Sequence, residues 1–210
     1  WLGKLRSVDA SLYVAGRVGS LASPTYTWAA QRAMGGGVLM ALGSHFIDAL
    51  RHWFGDFEGV WGATSVHKPE RTDAVTGEVR MADADDGFTC TLRFKSGAYA
   101  TLTCSTAAPF GAGGLIQAFG SDGTIVIPQR AFNPEPGDVV RAGKVGDVEL
   151  QTLTPPPAQY RPFDDDRDHR LMAFRLMVQK LVTAIQTGTQ VEGASFEDGF
   201  KVQQVINGIY

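Results

Sequence analysis

From Phe88 to Cys104 the chain alternates apolar and polar residues almost without a break. Phe88, Cys90, Leu92 and Phe94 alternate with Thr89, Thr91, Arg93 and Lys95. After Ser96-Gly97, Ala98, Ala100, Leu102 and Cys104 alternate with Tyr99, Thr101, Thr103 and Ser105. A period of two puts one side of a strand in a core and the other outside it. Directly opposed residues of an antiparallel pair share a face, so the two apolar sets meet if Phe94 lies opposite Ala98. Lys95-Ser96-Gly97 then forms a three-residue loop with Gly97 left-handed. Cys90 faces Leu102, Cys104 faces Phe88, and the two thiols are diagonal neighbours, read as small core residues. A slip of one residue would turn every apolar side chain to solvent.

Around this hairpin, Leu5 to Val14 reads as a first strand ending at Gly16, and Gly16 to Met34 as a long loop. Gly35-Gly36-Gly37 opens a helix over Val38–Phe54 that stops at Gly55. Its apolar face is Leu39, Leu42, Phe46, Leu50, Trp53 and Phe54. Phe57 to His67 reads as a strand, and Lys68 to Asp85 as a polar loop holding an irregular strand. Leu115–Phe119 and Thr124–Ile127 flank a turn, and Val139 to Leu153 holds one or two more strands around Gly143 and Gly146. Pro155-Pro156-Pro157 is a rigid extended segment. Two helices follow, from about Asp166 to Thr187 before Gly188, and after Ser195, whose hydroxyl can cap it. The second carries Phe200, Val202, Val205 and Ile206 and is still amphipathic at Tyr210. Many antiparallel strands followed by helices make an α+β fold, one mainly antiparallel sheet with helices on one face. The other face then needs a cover.

A chain of 210 residues is expected to form one domain, residues 1–210, with a core that needs no disulfide or metal. Its net charge of -3 supplies no field that would draw it to nucleic acid or to an anionic membrane. No apolar run in the sequence approaches a membrane span. Two cysteines make neither a disulfide framework nor a metal site, which fits a cytoplasmic location. Trp1 is read as an interior residue of a longer gene product, because no initiator Met or leader precedes a segment that already looks structured.

Chemistry is concentrated on the helix from Val38. On α-helical spacing Ala41, His45, Asp48 and His52 share a stripe, next to a triple glycine where backbone can approach a ligand closely. A histidine beside a carboxylate can be tuned as a proton-transfer group. The same stripe also reads as a partly exposed polar face on which Asp48 merely pairs with His45. Two histidines seven positions apart, with no third ligand, are not a metal signature. Asp164-Asp165-Asp166 reads as a helix-start charge cluster rather than a metal site.

Tyr26-Thr27-Trp28, then Gly35-Gly36-Gly37, then Gly43-Ser44-His45-Phe46-Ile47-Asp48, then Trp53-Phe54-Gly55 resembles the Gfo/Idh/MocA oxidoreductase family. The likeness continues through Ser121-Asp122-Gly123-Thr124 and Ser195-Phe196-Glu197-Asp198-Gly199. It implies the family's C-terminal domain, an open-faced sheet like that of dihydrodipicolinate reductase or GAPDH, whose bare face makes a subunit interface. It implies the substrate-binding half of an NAD- or NADP-dependent dehydrogenase acting on a sugar, cyclic polyol or sugar derivative. The family's nucleotide-binding Rossmann domain, with its G-x-G-x-x-G loop and E-K-P lysine, has no counterpart in these residues, so this chain alone is expected to be inactive.

By the same resemblance His45 sits at the substrate carbinol and assists that lysine, with Asp48 behind it. Gly36 and Gly37 are where backbone approaches the cofactor. Trp28, Arg32, Tyr160, Arg161 and His169 are the further substrate-binding candidates. One position departs from the pattern: the family's acid four residues before the histidine is Ala41 here. That leaves two readings open, a dehydrogenase with a variant dyad and a non-catalytic sugar or dinucleotide sensor.

Overall fold

The computed structural model describes residues 1–14, 23–129, 139–154 and 169–210. Its strands are β1 (Leu5–Tyr13), β2 (Thr25–Tyr26), β3 (Phe57–Ser65), β4 (Glu70–Asp73), β5 (Val79–Met81), β6 (Gly87–Phe94), β7 (Tyr99–Ser105), β8 (Gly113–Gly120), β9 (Gly123–Gln129), β10 (Arg141–Lys144) and β11 (Gln151–Thr152). The helices are α1 (Ser44–Phe54), α2 (His169–Thr187) and α3 (Phe196–Ile209). The architecture is α+β. An eight-stranded sheet has the order β11-β10-β9-β8-β1-β7-β6-β3. Every neighbouring pair in it is antiparallel except β1 with β7.

The β6–β7 hairpin has the register that the alternation dictates. Cys90 faces Leu102 and Phe88 faces Cys104. Phe94 N–H donates to the Ala98 carbonyl at 2.9 Å, and Gly97 closes the loop with φ 89°. The second hairpin also forms as read, with Phe119 opposite Thr124.

Side chains alternating off β1, β6, β7 and β8 make the core with α1 and α3. Leu12, Leu92, Phe94, Leu102, Ile47, Leu50 and Ile206 are fully buried there. On the bare face the same strands present Asp9, Thr89, Thr91, Thr101, Thr103 and Gln117, ringed by exposed Trp61 and Tyr99. Thr101 Oγ1 donates to Asp9 Oδ1 at 2.6 Å, and the Thr89 and Thr103 hydroxyls meet at 3.0 Å. Hydroxyls thus find partners across strands, and Arg93 on the same face pairs with Glu58 at 2.6 Å.

Three segments depart from the sequence reading. The polar stretch from Lys68 to Asp85 holds a true hairpin, β4 with β5, and β2 from the expected Gly16–Met34 loop joins it as a second, three-stranded sheet. Asp73 makes its turn, accepting N–H bonds from Val75 and Thr76, with Gly77 left-handed. Charged residues such as Glu70, Arg71 and Arg80 mask the apolar alternation that would have announced these strands.

The helix expected from Val38 begins as a π turn, Leu39–Gly43, before α1. The helical run Arg32–Phe54 is, by length and composition, long and apolar enough to cross a membrane, which corrects the expectation that no such run exists. Half of its most apolar window is buried in this fold, where those residues fill the core.

α2 carries Phe174, Met177, Val178, Leu181, Val182 and Ile185 at helical spacing, all exposed. An apolar stripe of that length is ordinarily covered. α3 is fixed differently. The Ser195 hydroxyl accepts from Asp198 N–H while the Asp198 carboxylate accepts from Ser195 N–H, a capping box. Hydrogen bonds from Ser195 and then from Arg51 hold the Asp198 carboxyl well below the usual carboxylate range. Val202, Ile206 and Ile209 face the core, whereas Phe200 is turned outward.

Burial pushes both core thiols, Cys90 and Cys104, up to about 12. In the unfolded chain a thiol titrates near about 8.5. The unfolded state therefore loses protons first as pH rises. Folding stability is steady below about pH 8.5 and falls above it, by up to about 1.4 kcal/mol per pH unit for each thiol. Denaturant midpoints taken between pH 8 and 10 should show this slope, flattened in a Cys90→Ala/Cys104→Ala variant. An unchanged slope in that variant would place the alkaline sensitivity elsewhere.

Candidate active site

The acidic run Asp83-Ala84-Asp85-Asp86 precedes β6, and each of its carboxylates ties down a different segment. Asp83 Oδ1 accepts from Arg32 N–H at 2.8 Å. Asp86, buried, accepts from the backbone of His67 and Lys68 and meets His67 Nδ1, each at 2.8 Å. Asp85, also buried, is the anchor of the site. Its carbonyl accepts from Val38 N–H at 2.9 Å, its Oδ2 from Leu39 N–H at 2.7 Å, and its Oδ1 from the Tyr210 hydroxyl at 2.7 Å. A helix start without its own Ser, Thr or Asp cap is thereby capped from another part of the chain.

The triple glycine serves this arrangement. Gly36 lies against the carbonyls of Trp28 and Ala29, where a Cβ would come within 2.7 Å of both oxygens. Gly37 has φ 107°, and a Cβ there would run into Asp85 Oδ1. Their N–H groups are already used. Gly35 N–H donates to Arg32, Gly36 N–H to Gln31 and Gly37 N–H to Ala29.

The π turn then changes which residue lies next to His45. Ser44 N–H reaches back five residues to the Leu39 carbonyl, so the stacking interval is five rather than four. Met40, not Ala41, shares the cleft wall with His45. This corrects the stripe read from α-helical spacing.

His45 and Asp48 line a cleft of about 350 Å³ together with Met40, Ser44, the α3 cap Ser195 and the α3 residues Val202 and Gln203. The His45 side chain is exposed. Among the described residues neither His45 nor Asp48 has a hydrogen-bond or ion-pair partner, so the two are not bonded to each other. Met40 and Gln203 also line a second cleft, of about 480 Å³, with Arg32, Gly36, Asn207 and Tyr210. The two therefore adjoin, and α3 forms a common wall.

Of the other residues singled out in the sequence, Arg32 and Gly36 lie in this double cleft, whereas Gly37 lies behind it against Asp85. Trp28, on a 3-10 turn (Trp28–Ala30), is 53% exposed and lines neither cleft. His52 is exposed in the last turn of α1. Tyr160, Arg161 and Asp164-Asp165-Asp166 lie outside the described residues, as does the side chain of His169, the first residue of α2. The sequence reading missed Asp85, Gln203 and Tyr210. The acidic run is visible in the sequence, but its place at the helix start is not.

Residues 1–126 match the family described as the GFO/IDH/MocA C-terminal domain. The chain belongs to this family. It is 26% identical over 219 residues to glucose-fructose oxidoreductase domain-containing protein 2 of Xenopus laevis, covering all of this chain and 55% of that protein. It is 31% identical over 113 residues to an oxidoreductase of Synechocystis, covering 52% of this chain and 30% of that one. Among solved structures, levoglucosan dehydrogenase in complex with NADH and L-sorbose superposes with a TM-score of 0.80 at 22% identity, over 99% of this chain and 56% of the other. An Agrobacterium radiobacter oxidoreductase in complex with NAD+, L-tartaric acid and magnesium gives 0.70 at 19% identity, over 100% and 54%. These likenesses establish the fold. The chain spans about half the length of the relatives it matches.

The Gfo/Idh/MocA family works with nicotinamide dinucleotides, and the residues here test where one could be held. A diphosphate needs free backbone N–H groups or cations at close approach. The glycine-rich segment has spent its N–H groups on protein acceptors. The backbone of this segment therefore offers a diphosphate no free donor. Among the described residues no three His, Cys, Asp or Glu side chains gather to hold a metal ion.

Proposed function

We propose that this chain is the single substrate-binding domain of an NAD- or NADP-dependent oxidoreductase acting on a sugar, cyclic polyol or sugar derivative. In this reading the nucleotide-binding domain lies elsewhere in a longer protein, and the 210 residues alone are inactive. The observation that carries it is His45, exposed in a cleft and without a protein partner among the described residues. His45 takes or returns the proton of the substrate hydroxyl, with Asp48 on the next turn lining the same cleft. The dinucleotide supplies the hydride acceptor when bound to the other domain. Gly36 is the one glycine of the pair open to it, by close approach rather than by hydrogen bonding. A dehydrogenase assay of the intact protein with a panel of sugars and cyclic polyols tests the reading. Failure to reduce NAD+ or NADP+ with any of them would count against catalysis.

A second reading, a sugar or dinucleotide sensor, is favoured by one observation: the cleft residue one turn before His45 is Met40 and the position of the family's acid is Ala41, neither of which can carry a proton. An intact sequence without the family's E-K-P lysine, together with silent assays, would select the sensor.

The bare sheet face is proposed as the interface of a cytoplasmic homo-oligomer. Its support is the threonine-rich surface, with its charges Asp9 and Arg93 partnered by Thr101 and Glu58, and with Trp61 and Tyr99 at its margins. Sedimentation of the protein should give a dimer or larger. Thr101→Arg, at the centre of the face, should shift it toward monomer. A monomer at high concentration before mutation would remove this proposal.

A further inference from the structure

Arg32 stands in the larger half of the cleft. Its backbone N–H is bound by Asp83, but among the described residues its guanidinium has no carboxylate partner. The group lies over the Tyr210 ring, 3.7 Å from its centroid. That ring is itself fixed, because its hydroxyl donates to buried Asp85 at 2.7 Å. Burial and this hydrogen bond hold the phenol above its ordinary range, so the ring stays neutral beneath the cation. Stacking holds the guanidinium plane while leaving its N–H edge open. A Cβ at Gly35 would meet nothing within 4 Å, so space beside the group is open. Across the cleft Gln203 Nε2 donates to Asn207 Oδ1 at 2.9 Å, which leaves the Asn207 amide N–H groups free to donate.

A cation held on a braced ring, facing amide donors, is built for an anionic oxygen pair. We infer that the ligand of this cleft carries a carboxylate or phosphate, which Arg32 binds in the larger half while a carbinol lies at His45. This rests on the reading of the double cleft as the sugar site. The substrate class is thus a sugar acid or sugar phosphate rather than a neutral polyol.

Asp83 and Asp85 do not cancel the site. Asp83 is engaged by the Arg32 backbone, and Asp85 is shielded behind the ring with both oxygens occupied. Charge-assisted bidentate bonds of this kind are worth roughly 10- to 100-fold in affinity.

Calorimetry on the intact protein with bound NADH, using gluconate, glucuronate, a glucose phosphate and glucose, tests it without needing turnover. Gluconate and glucuronate against the phosphate separate the two anion sources. Expected is an affinity for at least one anion class about 10-fold or more above that for glucose. The ratio should collapse toward one in Arg32→Met and partly survive in Arg32→Lys. Arg32→Gln, with its melting temperature checked, serves if Arg32→Met does not fold. Equal affinities for anions and glucose in the unmutated protein would overturn the inference while leaving the sugar site standing. So would an Arg32 effect confined to NADH affinity. If no member of the panel binds, and His45→Ala leaves every assay unchanged, the sugar-site reading itself falls and this inference with it.

Discussion

Replacing His45 with alanine in the intact protein is expected to cut turnover about 10²- to 10⁴-fold, the usual worth of a positioned proton carrier. NAD(H) affinity should change little, because the residues around His45 offer no cradle for a dinucleotide. The expectation comes from the cleft. His45 lines it beside Met40, Asp48 and Gln203, is exposed, and has no partner among the described residues that would give it a structural task. A loss of turnover with intact cofactor affinity is the pattern of a group acting in the transition state. The π turn sharpens the companion experiment. Met40 occupies the place beside His45 that α-helical spacing assigns to Ala41. Met40→Asp should therefore change the pH profile of turnover, whereas Ala41→Asp should act mainly on stability. If His45→Ala leaves turnover intact, the catalytic assignment is lost and the sensor reading gains.

Asp85→Ala is expected to destabilise the fold by about 3 kcal/mol. The change strands Leu39 N–H in the core without an acceptor, at about 1–3 kcal/mol. It also removes the acceptor of the Tyr210 hydroxyl, about 1 kcal/mol more. Tyr210→Phe loses only the second bond and should cost about 1 kcal/mol. Asp85→Asn keeps one acceptor oxygen and should fall between them. Denaturant unfolding of the three variants checks the order. A loss equal to that of Tyr210→Phe would mean that the helix start is satisfied without Asp85. The functional consequence is specific: loosening Asp85 frees the Tyr210 ring on which Arg32 rests and the turn that places Met40 beside His45.

Local physics made the hairpins legible. In β6–β7 the period of two, with a glycine at the only position needing a left-handed residue, leaves one register that buries both apolar sets. The α3 start was equally plain, because Ser195 and Asp198 cap within one turn. The family pattern around Gly35–Gly37 and His45 was likewise visible from residue order alone. The sequence could not show that an aspartate remote from the helix caps it, since Asp85 and Leu39 are brought together only by the sheet. Nor could it show the π turn, which shifts the residue beside His45 by one. Propensity does not encode that shift; it appears once Leu39 and Leu42 are drawn into the core. The β4–β5 hairpin was hidden for a related reason, since charges paired across strands look in sequence like solvated loop. What the residues determined by themselves was the alternation, the caps and the family motif. What tertiary structure decided was every contact between segments distant in the chain: Asp85 with Tyr210, Arg32 on its ring, and α3 as the wall of the cleft.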